Sequence, residues 1–362
     1  MSDFTITRLH VPQTLDDPSA GPFLGMVAVR NAVMEEAIGS PDNSALPAEL
    51  LPHWRDIEFD PVIGFVAEVD GRVVGRAYCI FSLNPDAPDV EVAVDVIDGF
   101  RRRGIGSALL ESVIRLARDD HRSILQGDFF APSFEGAEML SSPTGFGAVP
   151  RGTAGVEFAL AKGFSLEQVE RYSALPLPIE PEILAGRLAA IPDDNDYRVL
   201  SWAGVTPEEH LADIAMLHSR MSTDAPSGGL EISEAIWDVE RVRIMEAGQA
   251  SAGQTQLMTV AEHVPSGHLV GLNVLLVPAA VHRAVSQNDT LVLREHRGHR
   301  LGMLLKLTNL DLLQRDFPGH PRIVTFNAEE NRPMLDVNEA IGFEPVAYAG
   351  AWKLVLPEAR PQ

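Results

Sequence analysis

The stretch VEVAVDVIDGFRRRGIGSALLESVIRLARDD, residues 90–120, decides how this chain folds. Its opening residues alternate apolar and polar side chains, the period of a β-strand with one face buried. An Arg/Gly-rich loop follows, and then Leu109, Leu110, Val113, Ile114 and Leu116 recur at the spacing of one helix face. A strand that feeds a helix through a glycine loop is a unit of mixed α and β structure. The same unit returns as DTLVLREHRGHRLGMLLKLTNLDLLQRDF, residues 289–317.

Working outward, each unit is preceded by a β-hairpin. GFVAEVDGRVVGRAYCIF (64–81) turns at Asp70-Gly71, a dipeptide suited to a tight hairpin turn, and QLMTVAEHVPSGHLVGLNVLLV (256–277) has a longer turn. Gly75 and Gly106 are 31 positions apart, as are Gly271 and Gly302, and the common offset of 196 carries Arg101 onto Arg297. Such agreement across hairpin, loop and helix marks an internal duplication. Each copy continues into a further strand (SILQGDFF, 123–130; RIVTFNA, 322–328), a helix and a Gly-Phe pair, Gly163-Phe164 and Gly342-Phe343. The first copy is 17 residues longer between its loop and that pair, and the extra residues are expected in the Gly/Pro/Ser-rich segment 131–155 as a surface excursion. Prolines at 176, 178, 181 and 192 make a stiff connector between the copies. The expected organisation is a domain over 1–180, a connector over 181–196 and a domain over 197–362. Each is an α+β unit with a mixed sheet and helices on both faces.

Length and composition agree with two folded units. The chain has 362 residues, 45% of them hydrophobic, with a mean hydropathy of +0.02, enough apolar material for sizeable cores. Its 51 acidic and 29 basic residues give a formal charge of −22, which offers no overall attraction to nucleic acid or to an anionic membrane and suits a small cationic partner better. Cys79 is the only cysteine, so internal disulfides and CxxC metal or redox frameworks are excluded and a reducing, cytoplasmic setting is expected. The N-terminal MSDFTITRLH lacks the character of an export signal, and the richest apolar run, 269–281, is broken by Pro278. A monomer or a homodimer is expected.

The loop RRRGIGSALL has the makings of an anion cradle. Gly104 and Gly106 let the backbone approach a ligand, and the free amides at a helix entrance favour negative charge. It is neither a Walker loop, which needs GK[ST], nor a GxGxxG dinucleotide fingerprint followed by an acid. Seen twice after a β-hairpin, strand plus RxxGxG plus helix resembles the acetyl-CoA-binding motif Q/R-x-x-G-x-G/A of the GCN5-related N-acetyltransferase (GNAT) superfamily. The resemblance covers nearly the whole chain as two tandem domains, an arrangement similar to that of mycothiol synthase.

That resemblance implies acetyl-CoA as cofactor, with the pantetheine arm in a gap between two strands and the diphosphate on the loop amides. In the first copy it assigns cofactor contacts to Val94, Asp95 and Val96 on the strand and to Arg101, Arg102, Arg103, Gly104, Ile105, Gly106 and Ser107 on the loop. In the second it assigns Thr290, Leu291 and Val292, then Arg297, Gly298, His299, Arg300, Leu301, Gly302 and Met303. Arg300 stands where the family usually has glycine, which is tolerable if its side chain points outward and its backbone stays helical. The family also places an Asn after the next strand, met by Asn331, and a Tyr seven positions later as general acid. That Tyr position falls on Asn338 in the second copy and Ala159 in the first, so neither copy has the phenol.

Glu91 and Asp95 are the candidate general bases, if a β-bulge turns one of them toward the amine. Asn338 joins them as the residue at the acid position. Asn327 and Asn331 are candidates for hydrogen bonds to the pantetheine amides, with helix capping or turn formation as their ordinary alternative. His263, His296 and His299 lack metal-ligand spacing and are expected in solvent-facing turns, so no metal is expected. Glu35, Glu36, Asp224, Glu231, Glu234 and Trp237 lie in the variable helical regions where an acceptor would bind. The leading expectation is acetyl-CoA-dependent N-acetylation of a small amine, with one catalytic copy and one structural or cofactor-binding copy; the sequence leaves open which is which and leans toward the second as the catalytic one. The alternatives are the mycothiol synthase reaction and a non-catalytic acyl-CoA sensor.

Overall fold

A computed structural model describes residues 3–55, 58–132, 136–233 and 235–357, so Glu234 lies outside the described residues. The first part of the chain forms β1 (Thr5–Arg8), α1 (Gly21–Ile38), α2 (Pro47–Arg55), β2 (Val62–Val69), β3 (Arg72–Ile80) and β4 (Asp89–Val96). It continues through α3 (Ile105–Asp119), β5 (Ile124–Phe130), a small hairpin of β6 (Met139–Ser141) and β7 (Ala148–Pro150), α4 (Ala154–Ala161) and β8 (Ser165–Pro176). The connector carries α5 (Pro181–Ala189). Beyond it come β9 (Tyr197–Ala203), α6 (Leu211–Asp224), α7 (Val239–Ser251), β10 (Gln254–His263), β11 (His268–Pro278) and β12 (Val285–Val292). The chain closes with α8 (Leu301–Asp316), β13 (Arg322–Ala328), α9 (Arg332–Ile341) and β14 (Glu344–Val355).

Asp70 and Gly71 both take left-handed backbone, with φ of 49° and 75°, and close the β2–β3 hairpin between paired Val69 and Arg72. This is the geometry that a two-residue Asp-Gly turn provides. The expected excursion after β5 folds as the separate β6–β7 ladder.

The strands form one twelve-stranded sheet in the order β1-β2-β3-β4-β5-β14-β8-β13-β12-β11-β10-β9. Each copy's terminal strand therefore lies in the other copy's territory. β14 pairs with β5 through Ala351 and Asp128, and β8 pairs with β13 through Arg171 and Asn327. β14 and β8 pair with each other at the centre. The cores follow the exchange: Trp352 of β14 is fully buried among Leu125, Leu166 and Val169, while Tyr172 of β8 packs with Ala284 and Val324. At this seam between the copies, Arg171 Nε lies 2.6 Å from Glu329 and Arg171 Nη1 2.7 Å from Glu339.

Candidate functional site

In each copy two parallel strands begin as partners and then part. β4 and β5 pair only from Asp89↔Ile124 to Glu91↔Gln126, and β12 and β13 only at Val285↔Ile323 and Ser286↔Val324. Beyond those pairs the strands diverge toward the entrance of the following helix. In the second copy the gap is a cavity of about 820 Å³, a volume within the range of small-molecule sites. Its floor is the 296–303 loop and the β12 edge from Thr290 to Val292. Its walls are Thr325 to Ala328 of β13, Asn331, and the Met334 and Val337 face of α9.

β12 carries a bulge there: Asn273 faces Thr290 but Leu275 faces Gln287, so two residues of β12 oppose one of β11. The β3–β4 ladder runs in unbroken register from Gly75↔Val96 to Ile80↔Glu91. The bulge imagined beside Glu91 and Asp95 is absent from that ladder. Asp95 instead closes an ion pair with Arg76, 2.6 Å from its Nε.

The two loops are built alike. Ala108 and Leu304 donate to the carbonyls of Gly104 and Arg300, which leaves the amides of 105–107 and of 301–303 as the unpaired donors of each helix entrance. Gly104 precedes α3 with φ 87°, and Arg300 precedes α8 with φ 57° and ψ 18°. Arg300 is therefore left-handed rather than helical, a conformation that costs a non-glycine residue about 1 kcal/mol.

The leading arginines serve the loop. Arg101 Nε donates to the Val96 carbonyl and its guanidinium grips Glu36 of α1, while Arg297 Nε donates to Val292 and its Nη2 to Asp224 of α6. Arg103 is spent on Gly99 O and the Phe100 ring, and Arg102 takes the left-handed backbone at φ 63°.

The copies differ at the glycine that follows. A Cβ added at Gly106 would sit 3.2 Å from the Phe158 ring, whereas one at Gly302 would meet nothing within 4 Å. Phe158 of α4 thus covers the first helix entrance; counted back from Gly-Phe, its counterpart on α9 is the smaller Val337. An open cradle, three free amides and an adjoining cavity fit a diphosphate with an extended arm in the second copy, and Phe158 takes that room in the first.

Residues 28–128 match the Acetyltransferase (GNAT) family. Among solved structures, a tandem GNAT protein from the clavulanic acid biosynthesis pathway superposes with a TM-score of 0.72 at 24% identity, covering 99% of this chain and 100% of that one. A GCN5-related N-acetyltransferase from Sphaerobacter thermophilus superposes at 0.63 with 15% identity, covering 100% and 98%. No curated protein matches the sequence. The chain has a tandem GNAT fold. Within that fold, what distinguishes this chain is the lining of its two clefts.

The Gly75–Gly271 equivalence sets Ile80 against Leu276, so the pairs Ile80↔Glu91 and Leu276↔Ser286 put Ser286 in the place of Glu91. One strand further, Glu91↔Gln126 and Ser286↔Val324 put Val324 in the place of Gln126, and hence Phe326 in the place of Asp128. The first GNAT copy has carboxylates on this face and the second does not. Glu91 is pushed up to about 7 by burial, with Asp128 and Asp60 adding repulsion. The second cleft takes its acid from elsewhere: Glu170 of the exchanged strand β8 lines the cavity. Burial raises the pKa of both Glu170 and Asp128, with Glu330 adding repulsion at Glu170 and Glu170 adding it at Asp128.

Asn338 is buried on α9, where it accepts from Lys306 Nζ at 2.6 Å and donates to Asn327 Oδ1 at 2.7 Å. Asn331 is the α9 N-cap residue without a side-chain cap bond, and it lines the cavity. Burial pulls the Lys306 ammonium down to about 7. His263, His296 and His299 gather around Tyr197 at the loop rim, with His296 Nδ1 3.0 Å from the Tyr197 hydroxyl and His299 Nδ1 2.8 Å from Asp194. Among the described residues no group of three or more His, Cys, Asp or Glu side chains is placed to hold a metal ion, and no described helix is long and apolar enough to cross a membrane.

Sequence reasoning missed Glu170, Asp128, Lys306 and Phe158. Glu170 is one acid in a polar strand segment and gives no local signal. Lys306 did give one, as a lone cation inside the apolar run LGMLLKLTNL.

Proposed function

We propose that the second copy binds an acyl-CoA, acetyl-CoA foremost, and passes the acyl group to the amine of a small molecule, while the first copy completes the structure. The observation that carries this reading is the cavity that runs from the free amides of α8 to Glu170. The thioester would supply the activated acyl carbon. The 301–303 amides would hold the diphosphate, and Asn331 and Asn327 would offer hydrogen bonds along the arm.

Glu170, whose proton affinity is raised by burial, is suited to take a proton from the attacking amine. Glu330 sits beside it: Gln168 holds Oε1 at 2.8 Å, and Oε2 is buried without a partner among the described residues. That oxygen, and the chain's net charge of −22, favour a cationic acceptor.

Titration calorimetry with acetyl-CoA tests the assignment. Gly302→Val should weaken binding about tenfold or more by placing a side chain in the cradle, and Gly106→Val should leave it within about twofold. Equal loss in both would refute a single competent copy. Thiol release with a panel of small amines tests turnover, and Glu170→Gln should lower it about 10²-fold. Binding without release across the panel would make the chain an acyl-CoA sensor.

A further inference from the structure

Two positions in contact beside the second cleft differ in kind from their counterparts in the first. Lys306 stands four residues after Gly302, and the residue four after Gly106 is Leu110. Asn338 stands five residues before Phe343, and the residue five before Phe164 is Ala159. Leu110 and Ala159 belong to the apolar core of the first copy. In the second copy the same places hold a lysine and an amide bonded to each other, and Lys306 lines the cavity.

A buried ammonium is costly to keep and is usually offset by a carboxylate. Lys306 is 4% exposed, and its hydrogen bond goes to a neutral amide. The charged and titratable groups that share the cavity are Glu170, Glu330 and Asp224, with Arg187, His296, Arg297 and Arg300. None of them forms an ion pair with Lys306 among the described residues. The Phe343 ring covers the amine from the α9 side, 6.0 Å from Nζ. Asn338 is fixed in turn by Asn327, so the amine is aimed by a two-link chain rather than left to choose a rotamer. A Leu or Met at 306 would fill the same wall without the desolvation cost.

We infer that Lys306 is the proton donor to the departing thiolate of this cleft, standing in for the phenol that neither copy possesses. The inference rests on the proposed acyl transfer. In the step, the bond from the amine nitrogen to the acyl carbon forms as the carbon–sulfur bond breaks. The acceptor ammonium first gives one proton to water; as the bonds exchange, the remaining acidic proton on nitrogen goes to Glu170 and the Nζ proton of Lys306 goes to sulfur, after which Glu170 releases its proton to water and the neutral Lys306 side chain recovers one. Burial supports the role, since an ammonium brought down to about 7 gives up its proton near neutral pH.

The test uses the full chain with lysine labelled with 13C at Cε, read by NMR, and thiol release as the second readout. The Lys306 resonance should titrate near 7, and CoA should move it while CoA lacking its sulfur atom should not. Turnover of the wild type should fall about tenfold per pH unit above that midpoint, as the ammonium is lost. Lys306→Met and Lys306→Gln, the second of which retains a donor to Asn338 but no transferable proton, should both lower turnover at least about tenfold with KM little changed, and should remove that fall. A Lys306 resonance indifferent to the CoA sulfur, or a fall that survives in either variant, overturns the role of Lys306 and leaves the acyl-transfer proposal standing. Failure of the wild-type chain to bind CoA overturns both. The wild-type pH profile decides even if a variant does not fold.

Discussion

Replacing Lys306 by Met should stabilise this protein at neutral pH, and the size of the gain should shrink as pH rises. The ordinary lysine value is 10.5, and burial brings Lys306 to about 7 in the folded chain. Between those values the unfolded chain holds the proton and the folded chain does not, so unfolding takes up a proton and stability rises with pH. The slope is about 1.4 kcal/mol per pH unit, which over the whole window amounts to about 5 kcal/mol. Below about 7 both states are protonated and the full cost is present.

Methionine removes that cost but leaves Asn338 Oδ1 without its donor, a loss of about 1–3 kcal/mol. The variant should therefore exceed the wild type by about 2–4 kcal/mol at pH 7 and approach parity near pH 9. Urea unfolding of both proteins at pH 7, 8 and 9 measures the difference, in which titrations common to the two cancel. A difference that stays constant across those pH values would refute the reasoning, because Lys306 would then keep its ordinary proton affinity in the fold.

Glu329→Gln should destabilise the chain by about 3 kcal/mol, since it strips the nearer partner from Arg171 at the seam between the copies, where both side chains are 12% exposed or less; a shift under about 0.5 kcal/mol in urea unfolding would refute this. Gly127→Ala should cost at least about 2 kcal/mol, because its Cβ would lie 2.1 Å from the Val92 carbonyl oxygen, at the point where β4 and β5 part. Backbone cannot yield there without widening the strand gap, and an unchanged unfolding midpoint would show that it does.

Much of this architecture is written locally. The Asp70-Gly71 turn, the apolar faces of the hairpins, the helix stripe from Leu109 to Leu116 and the glycine loops each follow from short-range sterics and periodicity, and their repetition at a fixed offset reveals the duplication. The candidate loop amides, 105–107 and 301–303, follow in the same way, because a helix entrance always leaves its first donors unpaired.

Long-range pairing is different. No local feature of β8 or β14 states which β5 or β13 each will join, because a strand's two edges offer the same backbone groups to either neighbour. That choice carried Glu170 into the opposite copy's cleft. Nor does the spacing around Gly106 reveal that Phe158, more than fifty residues on, lies over it. The sequence by itself determined that one strand–loop–helix unit occurs twice and where its glycine loops lie. Tertiary structure alone decided which loop is open, which strand supplies the acid and that Lys306 meets Asn338, because each depends on packing between segments that share no local code.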